Sequence, residues 1–177
     1  MAGKSQIRGT QIKDDTLTGA DVNEDTLIMK YFTTHKYTLT SSSDAQFVRF
    51  NAAGSNGTGQ VNNRFVVPAG GKLSYVAFRS DATPGNTEIA ICKISDGTAD
   101  FGSGSPSADV IQNVNTANTV VLFDFSSANG ASFNAGQVVG IRVNPTNNHG
   151  NVDLTCVWEF DWLSLIHISE PTRLDHI

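Results

Sequence analysis

A stretch near the end of the chain alternates in character and reads Val152-Asp153-Leu154-Thr155-Cys156-Val157-Trp158-Glu159-Phe160-Asp161-Trp162. In an extended conformation, one face would carry Leu154, Cys156, Trp158, Phe160 and Trp162. The opposite face would carry Thr155, Val157, Glu159 and Asp161. Successive side chains of a β-strand point to opposite sides of the sheet. The pattern therefore predicts a strand over 152–162 with one face in a core and the other toward solvent.

Eight similar stretches precede it, at 36–40, 46–51, 64–68, 72–79, 88–94, 110–114, 119–125 and 137–143. They are rich in Val, Ile, Phe, Tyr and Thr, which strands favour. Runs of Gly, Asn, Ser and Pro separate them and supply the backbone angles that turns need. No segment indicates a helix. The spacing predicts an all-β fold, an antiparallel jelly-roll sandwich over 30–162 with an extended N-terminal arm.

Composition supports this fold class and excludes several functions. The chain has 177 residues, one domain's worth, and only 16% are charged, against about a quarter in most soluble proteins. A net charge of -5 argues against a protein that binds nucleic acid by bulk charge. No apolar run is long enough to span a membrane, and the N-terminus lacks the apolar stretch of a signal peptide.

Residues 1–29 carry apolar side chains at every fifth position, namely Ile7, Ile12, Leu17, Val22 and Leu27. On a helix, a step of five residues turns through about 500°, so the stripe wanders around the surface. On a strand, an odd period sends alternate members to opposite faces. We therefore predict that three copies wind together, each giving one apolar residue in five to a shared axis. A pentapeptide solenoid and a polar arm with chance spacing stay open as alternatives.

We interpret the last fifteen residues, 163–177, as a segment that does not belong to the natural protein. Residues 163–173 resemble the translation of a transposon-end adapter from short-read sequencing libraries, which implies a metagenomic contig that ran into adapter. This tail is therefore left out of the fold. A genuine apolar strand at 163–168 is the alternative. The predicted organisation is an attachment arm at 1–29, a head at 30–162 and an artefact tail at 163–177.

Two segments carry a resemblance to a known family. The arm sequence 6–22 resembles the N-terminal shaft of small fibre and decoration proteins of tailed-phage virions. The stretch 132–145 is similar to the penultimate strand of their jelly-roll heads, which resemble trimers of the tumour-necrosis-factor type. The resemblance spans most of 5–162. It implies a homotrimer located in the virion, without catalysis or a cofactor, whose arm attaches to a capsid or tail protein.

Few residues indicate reactive chemistry. Outside the tail the histidines are His35 and His149, and we expect both to be solvated loop residues. Cys92 and Cys156 are predicted in the core, with a mutual disulfide as the alternative. We expect no metal site and no catalytic residue, because no acid–base pair stands out. The acids that could bind calcium are read as solvated turn residues; they are Asp96, Asp100 and Asp109.

Two functions follow from these observations. The first is a non-enzymatic virion structural protein, a trimeric head fibre or capsid decoration protein. The alternative is a receptor-binding tip module of a tail fibre that recognises a glycan or a protein on the host surface. For that module, the predicted binding loop comprises Asn144, Asn147, Asn148 and His149.

Overall fold

The computed structural model of the chain describes residues 29–38, 45–50, 64–94 and 106–161. Within these ranges the secondary structure is entirely β, as predicted. The strands are β1 Met29–Thr38, β2 Gln46–Phe47, β3 Phe65–Val66, β4 Gly71–Ser80, β5 Gly85–Ile94, β6 Ala108–Val114, β7 Val120–Asp124, β8 Ser132–Phe133, β9 Val138–Pro145 and β10 Asn151–Phe160. The apolar stripe at Ile7, Ile12, Leu17, Val22 and Leu27, and the tail at 163–177, lie outside the described residues.

The strands form two antiparallel sheets. The front sheet has the order β1-β10-β4-β7, with β8 also paired to β4. The back sheet has the order β2-β9-β5-β6, with β3 also paired to β9. The predicted two-sheet antiparallel architecture is confirmed, whereas the jelly-roll connectivity in particular stays a prediction.

The apolar side chains that alternate along 152–160 lie on one face of the strand, and this face is buried, as expected. β10 lies between β1 and β4, and its inner side chains are Val152, Leu154, Cys156, Trp158 and Phe160, all buried. They pack with inner residues of β4, β5 and β9 in one core. Full burial of a large apolar side chain contributes about 1.5–3 kcal/mol. Trp162 lies outside the described residues.

Four elements differ from the sequence prediction. β2 and β3, predicted over 46–51 and 64–68, shorten to Gln46–Phe47 and Phe65–Val66. β1 begins at Met29 instead of Lys36, and Met29 had been assigned to the arm. Its residues 29–35 pair one by one with 154–160, so the long partner strand extends β1 through a stretch with little alternation of its own. The two-residue strand β8 had not been predicted, because a strand of that length cannot show a period of two.

The two sides of the sandwich are built differently. On one side, β6 and β7 contact each other across the two sheets. On the other side, the strands of the back sheet that the described residues place opposite the ten-residue β1 are the two-residue strands β2 and β3. There the two sheets are linked by His35, whose Nδ1 donates a hydrogen bond to the carbonyl of Arg49 at 2.8 Å. The side with β1 is therefore the more open one.

Candidate functional site

The predicted binding loop is only partly available at the surface. Asn144 lies within β9, opposite Glu88 of β5. Asn147 and Asn148 are exposed. His149 has 0% of its surface exposed, and burial lowers the pKa of its imidazole. The expectation of a solvated His149 was wrong, because hydrogen bonds to Ser80 and Pro84 hold this loop against the end of β4 and the turn that follows it.

Hydrogen bonds hold this loop in one conformation. The hydroxyl of Ser80 donates to the carbonyl of His149 at 2.6 Å, and the amide of Asn147 donates to Pro84 at 2.9 Å. Gly150 has a φ of 56°, and a Cβ there would collide with the carboxylate of Asp81. The exposed part of the loop thus offers fixed amide groups, while its one ring, that of His149, is turned inward.

A second candidate site is a cavity of about 380 Å³ on the open side of the sandwich. We call it the aromatic pocket. Its lining residues come from both sheets and from the segments beside them; they are Met29, Tyr31, Thr33, Phe50, Phe65, Pro68, Trp158 and Phe160. A volume near the lower end of the usual 300–1,000 Å³ suits a small apolar ligand or a side chain.

Strand alternation and unequal strand lengths create the aromatic pocket. Met29, Tyr31 and Thr33 lie on the inner face of β1, opposite Phe160, Trp158 and Cys156 in register. Met29 and Tyr31 remain 56% and 57% exposed. They remain uncovered because β2 and β3 are too short to extend beneath the whole of β1.

The walls of the aromatic pocket are rings in mutual contact, and the polar groups of Trp158 and Thr33 are paired with each other. The rings of Phe65 and Trp158 pack edge to face, with centroids 5.4 Å apart, and Phe50 lies 4.8 Å from Phe65. The indole N–H of Trp158 donates to Thr33 Oγ1 at 2.9 Å. An apolar occupant therefore fits the aromatic pocket better than a charged one.

The solvent-facing side of the front sheet carries a second unusual surface, an apolar band that crosses all four strands. Three of its side chains are exposed, namely Phe32 at 60%, Leu122 at 61% and Val120 at 58%. In the strand register, Val157 and Tyr75 continue the row of Phe32 toward Asp124. Ala77 lies opposite Leu122 and shares its row with Thr34 and Thr155, so polar side chains interrupt the band between Phe32 and Leu122. Exposed apolar side chains grouped on one sheet face with a polar rim are typical of a protein contact.

Two rows of ion pairs cross the same sheet face, and the second row ends at Val120 of the apolar band. In the first, Glu159 lies 3.4 Å from Lys30 and 3.2 Å from Lys72. Burial acts to raise the pKa of Glu159, but hydrogen bonds that include those from Lys72 and Lys30 outweigh it, so the pKa lies below its usual range. The second row joins Lys36, Asp153 and Arg79, with the closer pair at 2.7 Å. The second row is exposed, and exposed pairs of this kind contribute about 0–1 kcal/mol each. Glu159 in the first row is mostly buried, with 12% of its side chain exposed, so its pairs also help to hold β1 and β4 against β10.

Several ionisable side chains are buried or half-buried within the two sheets. Cys92 and Cys156 are buried and free, so the alternative of a disulfide between them is not realised. Burial raises the pKa of Cys92 to about 11 and that of Cys156 to about 12, which keeps both thiols protonated at neutral pH. Glu88 and Arg142 form an ion pair on the back sheet. His35, expected in a loop, lies half-buried in β1, and burial lowers its pKa.

The described part of the chain contains no candidate metal site and no candidate membrane-spanning helix. Across 29–38, 45–50, 64–94 and 106–161, His, Cys, Asp and Glu form no cluster of three that could hold a metal. Asp109 is exposed on β6, while Asp96 and Asp100 lie outside the described residues. The same ranges contain no helix that could cross a membrane.

Sequence reasoning missed both the aromatic pocket and the apolar band. The spacing of Met29, Tyr31 and Thr33 was an available signal for the inner face of β1, but Met29 had been counted with the arm. Likewise, the resemblance of 6–22 and 132–145 to phage fibre and decoration proteins stays a prediction from the sequence. In comparisons with known proteins, no family model matches this chain, and no curated protein is significantly similar to it.

Proposed function

We propose that this protein is a non-enzymatic structural component of a phage virion, a homotrimeric head fibre or capsid decoration protein. The observation that carries the proposal is the apolar band, where Phe32, Leu122 and Val120 are each more than half exposed on one sheet face. A monomer would leave this surface in water. A cyclic trimer covers it and closes, so the assembly does not grow into filaments.

The energetics favour such an association. Covering one large apolar side chain contributes up to about 1.5–3 kcal/mol, and each protomer has three in the apolar band. Association must offset an entropic cost of several kcal/mol or more. The predicted stripe through Ile7, Ile12, Leu17, Val22 and Leu27 would add to the contact and hold the heads at high effective concentration.

The groups that could do chemistry also support a structural role. The thiols of Cys92 and Cys156 are protonated, and Glu88, Asp153 and Glu159 are engaged in ion pairs. In the proposed assembly, the arm at 1–29 attaches to a capsid or tail protein and the head projects outward.

A second candidate function is host recognition by a tail-fibre tip, through a glycan or a surface protein. The exposed amides of Asn147 and Asn148, on a loop held by backbone hydrogen bonds, favour it. A glycan array probed with the full chain and with an Asn147→Ala, Asn148→Ala double variant tests this candidate. Binding to one glycan class that the double variant loses would support recognition; equal signals from both proteins would count against it.

Solution mass tests the leading proposal first. Light scattering on a sizing column should give three times the chain mass of 18.9 kDa. Purified capsid shells should then retain the trimer in a sedimentation assay. A monomer at micromolar concentration, or a trimer that never sediments with capsids or tails, would contradict the proposal.

A further inference from the structure

We infer that, in the trimer, Phe32 of each protomer inserts into the aromatic pocket of the next protomer. The inference rests on the proposed homotrimer and deepens it, because it names the contact between the heads. It makes β1 the strand that lies closest to the three-fold axis.

β1 carries both halves of such a contact on opposite faces. Phe32 points to the solvent side of the front sheet and is 60% exposed. Met29 and Tyr31 point inward and line the aromatic pocket. Since β1 is the edge strand of the front sheet among the described residues, its far side is not occupied by another of these strands. Both faces are therefore accessible from the same edge.

The position of the arm places this edge near the axis. Leu27 is the last member of the predicted stripe and precedes Met29 by two residues, which span about 7 Å at most. If three arms meet through the stripe, the three β1 strands begin beside the axis. Around a three-fold axis, a protomer presents different surfaces to its two neighbours. The outer face of one β1 then meets the inner side of the next.

The aromatic pocket has room for a phenyl ring and matches it in chemistry. The aromatic pocket measures about 380 Å³, more than twice the ~150 Å³ cavity that admits benzene. Phe65 and Trp158 present ring edges and faces within it. Thr33 Oγ1 already accepts the indole N–H of Trp158, so a neutral phenyl ring suits the space. A second copy of this chain supplies that ring from a side chain that its own fold leaves exposed.

Photocrosslinking tests the contact while keeping an aromatic group at position 32. The full chain with Phe32→p-benzoylphenylalanine is irradiated, and the products are mapped by mass spectrometry. We expect covalent dimers and trimers whose crosslinks join position 32 to Met29, Phe50 or 64–68 of another chain. The matched control places the same group at Ile111, which is equally exposed at 59% but lies on the back sheet. It should give no crosslinks to the pocket.

The p-benzoylphenylalanine side chain is larger than phenylalanine and could itself disturb assembly. A second variant at position 32 therefore tests the same contact without it. Phe32→Ser should raise the concentration at which the trimer dissociates by roughly 30-fold or more, as expected for an aromatic anchor. Ile111→Ser should leave that concentration within about threefold of the parent value. Near-ultraviolet circular dichroism confirms that both variants stay folded.

The outcomes separate this inference from the proposed function. A trimeric parent whose crosslinks join two copies of position 32, or join it to residues 1–28, would overturn the inference and leave the trimer standing. So would a Phe32→Ser variant that dissociates like the Ile111→Ser control. A parent chain that is monomeric would overturn the proposed function itself.

Discussion

The hydrogen bond between Trp158 and Thr33 joins β10 to β1, and we expect its removal to lower the free energy of unfolding. Trp158 is fully buried, and its indole N–H donates to Thr33 Oγ1 at 2.9 Å. Thr33→Val keeps the shape and the strand preference of the side chain but removes the acceptor. The indole N–H is then buried without a partner, which costs about 1–3 kcal/mol.

The measurement is urea unfolding at a fixed protein concentration, followed by fluorescence. For an m-value of about 1–3 kcal/mol/M, the midpoint of Thr33→Val should fall by roughly 1 M. The control is the same change in a Trp158→Phe background, where no N–H is stranded and the additional loss should be within about 0.5 kcal/mol. Equal losses in both backgrounds, or an unchanged midpoint in the single variant, would refute the reasoning.

Three further predictions concern assembly, the tail and acid stability. Leu17→Asp should abolish trimer formation through the arm, and an unchanged mass by light scattering would contradict the shaft. Deletion of 163–177 should leave the melting temperature unchanged; a lower value would show that the tail packs. Burial lowers the pKa of His35 and His149 below 6.5, so the unfolded state takes up more protons and stability should fall as the pH drops below 6.5. Glu159, with its lowered pKa, should add a further loss as the pH falls below about 4.5. Calorimetry that finds constant stability from about pH 7 to 5 would contradict the histidine effect, and constant stability from about pH 5 to 3 would contradict the Glu159 effect.

Local pattern was enough to predict most of the strands. The alternation in β10 reports one buried face, and that face is buried as expected. The start of β1 was missed because Thr33 and Thr34 interrupt the apolar alternation, and its strand form depends on the register with β10. Pairing between segments more than a hundred residues apart leaves little trace in local sequence.

The candidate surfaces were much less predictable. His149 lies in a loop of Asn, Thr and Gly that resembles any solvated turn, yet Ser80 holds its backbone and the ring is buried. Phe50 and Phe65 belong to two of the predicted strands, 46–51 and 64–68, whose pattern does not indicate a cavity. They line a cavity only because their strands shrink to two residues where β1 continues for ten.

By itself, the sequence determined the fold class and the buried face of β10, because a period of two and turn residues act over a few positions. It also determined the five-residue stripe that motivates a trimer. Only the tertiary structure decided that β1 is an edge strand, that Tyr31 meets Phe65 and Trp158 across an open cavity, and that Phe32 faces solvent. Those features depend on the order of strands in two sheets, which is set by the packing of the whole chain rather than by any one segment.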